Sequence, residues 1–104
     1  MQYELSKAIT TASGANISTL ELDFESLSLA DIKNARKVKA YLGDDKVGEV
    51  STGTLSPRLD VNLRIGLSWI AAMKTNKELT IMDVLSISAK DALALADYSL
   101  EYLF

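Results

Sequence analysis

Leu59-Asp60-Val61-Asn62-Leu63-Arg64-Ile65-Gly66-Leu67-Ser68-Trp69 can be read in two ways, and the choice between them decides the fold. Leu59, Val61, Leu63, Ile65, Leu67 and Trp69 alternate with smaller or polar residues, the period of a half-buried strand. The same residues, continued by Ile70-Ala71-Ala72-Met73, place apolar side chains around most of a helix, as a buried central helix would have. Ser56-Pro57 ahead of them offers a cap followed by proline at a first helical position. We therefore read 58–74 as a helix. Pairing of 59–69 in a sheet would give a different architecture.

Upstream, residues 43–57 contain Gly43, Gly48, Gly53, Asp44-Asp45 and Pro57, which predicts a loop near 43–56. Its composition leads us to expect mobility and first proteolytic cleavage between Gly43 and Leu55. Before it, Ser28-Leu29-Ala30-Asp31 has the S/T-x-x-D form of a capping box, and Gly43 suits a left-handed C-terminal cap. A helix over 29–42 follows, with Ile32, Ala35 and Leu42 expected on its buried face. In residues 3–24, Leu20, Leu22 and Phe24 alternate with Glu21 and Asp23, and Ser13-Gly14-Ala15-Asn16 carries turn residues. A β-hairpin is the economical reading.

Downstream, Thr80-Ile81-Met82-Asp83 and Ser88-Ala89-Lys90-Asp91 are two more capping boxes, predicting helices over 81–86 and 89–103. On the last helix, Ala89, Ala92, Leu93, Ala96, Leu100 and Leu103 form the expected core face. Leu95, Tyr98 and Tyr102 form a second arc, with Asp91 beside it. Either the core wraps around that arc, or its three residues contact a partner protein or another copy of the chain. The fold expected is α+β: one domain over 1–104, an N-terminal β-hairpin followed by a small bundle of three to four helices.

The chain of 104 residues is 48% apolar and 24% charged, enough to fill one core and too apolar for disorder. It has no cysteine and no histidine, so a Ser-His-Asp triad, a thiol nucleophile and the usual soft-metal ligands are absent. Gly66-Leu67-Ser68-Trp69-Ile70 starts like a nucleophile elbow but has isoleucine at the last glycine position. Asp44, Asp45 and Glu49 lack the spacing of a calcium loop, and solvated carboxylates are the simpler reading. No phosphate or dinucleotide motif is present. We expect no enzyme activity, no cofactor and no metal.

The net charge of −3 is unevenly spread. Residues 28–43 sum to +3 and residues 77–104 to −3. Lys33, Arg36 and Lys37 project from one side of their helix, while Lys39 lies nearer the buried face and is expected to snorkel. The three outer cations suit a solvated face, a polyanion, or an acidic patch on a protein partner. A weakly acidic chain with one basic helix argues against nucleic acid as that partner. No apolar run is long enough to span a bilayer, and Met1-Gln2-Tyr3-Glu4-Leu5 does not begin a secretory signal. A cytoplasmic protein is expected, without membrane contact.

The order of these parts resembles the tail assembly chaperones of long-tailed bacteriophages. The residues that carry the resemblance are Leu27-Ser28-Leu29-Ala30-Asp31-Ile32, Ile70-Ala71, Leu79-Thr80-Ile81-Met82-Asp83-Val84-Leu85 and the Asp91-centred final helix. It covers most of residues 17–104, through short motifs. It implies a chaperone that binds the tape measure protein and keeps it soluble in the host cytoplasm while tail tube subunits assemble. It also implies a frameshifted longer form; the apolar ending Ser99-Leu100-Glu101-Tyr102-Leu103-Phe104 suits truncation before such an extension, and a docked C-terminal helix equally well. The competing readings are a structural subunit of a phage particle, in tail or neck, and a small regulatory adaptor.

Overall fold

A computed structural model describes residues 1–42 and 60–103. The chain opens with an antiparallel hairpin of β1 (Gln2–Thr10) and β2 (Asn16–Glu21). A 3-10 turn, Phe24–Ser26, leads into α1 (Leu29–Tyr41). The long helix α2 (Val61–Thr75), a 3-10 helix (Ile81–Ser86) and α3 (Ala89–Leu103) follow. This is the α+β hairpin-and-helices architecture expected. The loop expected near 43–56, its proteolysis and the Asp44, Asp45 and Glu49 carboxylates lie outside the described residues, as do Ser56 and Pro57.

The ambiguous segment is helical, and its burial explains the ambiguity. In α2, every residue from Ile65 to Ala72 is buried, so apolar side chains are needed on all sides and the helical period is masked. Asp60 caps the helix, its Oδ1 accepting the Leu63 amide at 3.0 Å. Two small residues let the neighbouring helices close in. Gly66 faces Ala35 of α1, where a Cβ would stand 2.5 Å from the Ala35 carbonyl oxygen. Ser68 faces α3, donating its hydroxyl to the Leu95 carbonyl, while Ser99 Oγ of α3 donates to the Arg64 carbonyl of α2. Each serine thus bonds the carbonyl four residues before the other serine. Two residues along a helix turn through about 200°, so α1 and α3 lie on nearly opposite sides of α2. Trp69, fully buried, donates its indole N–H to the Thr80 carbonyl at 2.9 Å and holds the second 3-10 helix to the same scaffold.

The hairpin turn runs through Gly14 at φ +91°, a left-handed conformation that glycine adopts without strain. Gln2 to Glu4 pair with Glu21 to Thr19, and Ile9 and Thr10 pair with Ile17 and Asn16. Between Glu4 and Ile9, β1 advances five residues while β2 advances two, leaving a wide bulge around Leu5–Ala8. Leu20, Leu22 and Phe24 point into the core, as their alternation predicts, beside Leu5, Ile9 and Ile17.

Candidate functional site

Two expected buried faces are corrected. On α1, Ala35 and Val38 are buried but Ile32 is exposed, because the core side is centred on Asp31, Ala35 and Val38. On α3, Leu93 was expected in the core and is 58% exposed. The buried side is Asp91, Leu95, Ala96 and Ser99, rotated from the predicted face towards the second arc of Leu95, Tyr98 and Tyr102. Polar Asp91 and Ser99 carry that rotation. Apolarity alone puts the helix at the wrong angle, since two of its most buried side chains are an acid and a hydroxyl.

Leu95, Tyr98 and Tyr102 therefore have three different fates. Leu95 is completely buried in the core, so it is not available to a partner in this fold. Tyr98 is half-buried against Tyr3 of β1, edge to face with ring centroids 5.5 Å apart. Tyr102 stacks on Phe24 at the same separation, with rings within 10° of parallel, and stays 53% exposed. The arc is partly a seam joining α3 to the hairpin, with Tyr102 at its open end.

Asp91 is the centre of that seam. As N3 of α3, its Oδ2 accepts the Ser88 hydroxyl at 2.9 Å, and its amide donates back to Ser88 Oγ at 3.2 Å. Its Oδ1 is free to look outward and accepts the Tyr3 hydroxyl at 2.6 Å and the Ser6 amide at 2.9 Å. The bulge in β1 supplies that amide, since Ser6 lies in the stretch without ladder pairing. Burial alone would raise the Asp91 pKa, but the bonds from Tyr3, Ser6 and Ser88 outweigh it and bring it down to about 2. Burial, the hydrogen bond to Asp91 and its charge push Tyr3 up to about 12.

The other helix starts use their acids in the same double way. Asp83 Oδ2 accepts the Thr80 amide and hydroxyl at 2.8 and 3.0 Å, while Oδ1 accepts the Ala12 amide at the hairpin turn at 3.0 Å. Asp31 accepts the Ser28 amide at 2.8 Å and the Lys74 ammonium of α2 at 3.0 Å. Burial pushes its pKa up, but the Ser28 bonds and Lys74 prevail and hold it below the usual carboxylate range. Asp60 pairs with Lys39 at 2.6 Å, the snorkelling cation expected on α1. Each acid closes a helix start and ties it to another element. Burying Leu5, Ile9, Ile17 and Leu20 is worth roughly 1.5–3 kcal/mol each, and a hydrogen bond to a charged group nets a similar amount. Direction separates the roles: burial has none, whereas a hydrogen bond fixes position. Apolar burial holds the hairpin down, and the acids set where it sits. The sequence shows the three boxes but not their second partners, which come from the hairpin and from α2, tens of residues away.

Lys33, Arg36 and Lys37 all lie exposed on the outer side of α1, as expected, and form no ion pair among the described residues. A cavity of about 240 Å³ opens between α1, α2 and the second 3-10 helix, lined by Asp31, Asn34, Ile70, Met73, Lys74 and Ile81. Its two charged groups already neutralise each other. Among the described residues no three acids converge on a point suited to a metal ion, and no helix is long and apolar enough to cross a membrane. On the second 3-10 helix, Met82 and Leu85 are 59% and 57% exposed. At three residues per turn they stand on one side of it. No family model, curated protein or solved structure matches the chain.

Proposed function

We propose that this chain is a non-enzymatic protein-binding protein, a phage tail assembly chaperone that holds the tape measure protein soluble while tail tube subunits assemble. The observation that carries the reading is apolar surface left uncovered in an otherwise well-packed domain: Met82 and Leu85 together on one side of a 3-10 helix, and Tyr102 at the open end of the α3 seam. Their core neighbours Val84, Phe24 and Leu95 are buried, so the exposed side chains are not a sign of loose packing. Exposed apolar side chains of this kind suit a client helix with its own apolar face. Tyr102 offers large area with a polar tip, and its stacking on Phe24 fixes its ring before contact. Tyr98 serves as its buttress on Tyr3, and Leu95 as core.

The test is co-expression with a tape measure protein. Met82→Ser with Tyr102→Ser should leave the circular dichroism of the chaperone unchanged and return the tape measure protein to the insoluble fraction. Undiminished solubility with the folded double variant overturns the reading. Recovery of the chain in purified particles, at the stoichiometry of a tail or neck component, would instead make it a structural subunit.

A further inference from the structure

The outer faces of α1 and α3 carry matching patterns of opposite sign. On α1, Leu29, Lys33 and Lys37 recur every four residues, within one arc of the helix, and all three are exposed. On α3, Leu93, Asp97 and Glu101 recur at the same spacing, and all three are exposed. Leu29 is 83% exposed, the most of any large apolar side chain among the described residues. In both helices the leucine comes first and the charges follow in the N-to-C direction. A parallel approach of the two faces therefore sets leucine against leucine, Lys33 against Asp97, and Lys37 against Glu101. The flanks agree with this register. Exposed Lys90, the cation on the α3 face, falls near exposed Glu25 just ahead of α1, and Arg36 falls beside Leu100 and Glu101.

These two faces cannot meet within one molecule, because α2 separates them and holds α1 and α3 on opposite sides through Gly66 and Ser68. We propose that the occupant of each face is a second copy of the chain, with α1 of one copy docked in parallel on α3 of the next. Since the faces are different and point in opposite directions, the contact is head-to-tail and adds copies in sequence rather than stopping at two.

Charge exchange tests this directly on the purified full chain by sedimentation velocity and light scattering. At low ionic strength the wild-type weight-average mass should rise with concentration to at least about twice that of the monomer, and fall back in about 0.5 M salt, where exposed pairs are screened. Lys33→Glu with Lys37→Glu should be monomeric, as should Asp97→Lys with Glu101→Lys, each with wild-type circular dichroism. An equimolar mixture of the two variants should assemble again, because each reversed face then meets a complementary one on the other variant. A wild type that stays monomeric overturns the proposal. So does a mixture of folded variants that stays monomeric while the wild type assembles, since the contact would then use another surface. Should either reversed pair fail to fold, the milder Lys33→Gln with Lys37→Gln and Asp97→Asn with Glu101→Gln take their place. Each should then lower the assembled mass, and an unchanged mass overturns the proposal.

Discussion

Replacing Gly66 by alanine would put a methyl group 2.5 Å from the Ala35 carbonyl oxygen, a backbone atom that cannot swing away. Alanine gains about 1 kcal/mol of helix propensity, while overpacking a core costs about 1–3 kcal/mol. A net loss of up to about 2 kcal/mol is expected, read as a lower denaturant midpoint at unchanged slope. Asp91 sets the acid edge of stability. Its folded pKa of about 2 lies below the ordinary value near 3.9, so its contribution of about 2–3 kcal/mol is present above pH 4 and lost as pH falls from about 4 to about 2. Asp91→Asn should remove that part of the acid transition and lower stability at neutral pH. Tyr3 sets the alkaline edge with the opposite sign. Its pKa is raised to about 12, so its contribution is intact below about pH 10 and lost between about 10 and 12, and Tyr3→Phe should flatten that limb in a pH series of urea melts.

Between helices α2 and α3, the crossed serine bonds make a joint whose members are worth less alone than together. Ser68→Ala or Ser99→Ala should each cost about 1–2 kcal/mol, because each removes a buried hydroxyl that bonds a carbonyl of the other helix and touches the partner hydroxyl. The double alanine variant loses the contact shared by the two hydroxyls once rather than twice and should cost less than the two singles summed, which a double-mutant cycle measures. The same pair explains how far the elements could be read from sequence. Helix positions followed from local chemistry: Ser28, Thr80 and Ser88 with Asp31, Asp83 and Asp91 mark starts that the structure reproduces. The rotation of α3 did not follow, since Ser99 and Asp91 count as surface residues until their partners Arg64, Tyr3 and Ser6 are brought from elsewhere in the chain. For the same reason periodicity puts Leu93 in the core and leaves Leu95 open between core and partner surface. On α1 the exposed trio Lys33, Arg36 and Lys37 needed no tertiary information, because charges that far from the apolar side have only solvent or a partner to face.

In the whole molecule, apolar burial and the paired acids fasten the hairpin to the helices, and the fastening should be cooperative. Amide exchange at Ser6 and Ala12, which donate to Asp91 and Asp83, should be slow in the wild type. In Asp91→Ala, protection should fall at both amides and along β1, with α2 little affected; loss at Ser6 alone would mean the acids act separately. Tyr3 and Asp91 are 88 positions apart, and that separation has a consequence during synthesis. A ribosome adding roughly 5–20 residues per second takes about 4–18 seconds to travel from one to the other. For that interval the nascent strand pair lacks the cover of α3, and a lone two-stranded hairpin is at best marginally stable. The hairpin thus leaves the exit tunnel ahead of the helix it docks on, and its final seat waits for a carboxylate encoded 88 codons after Tyr3.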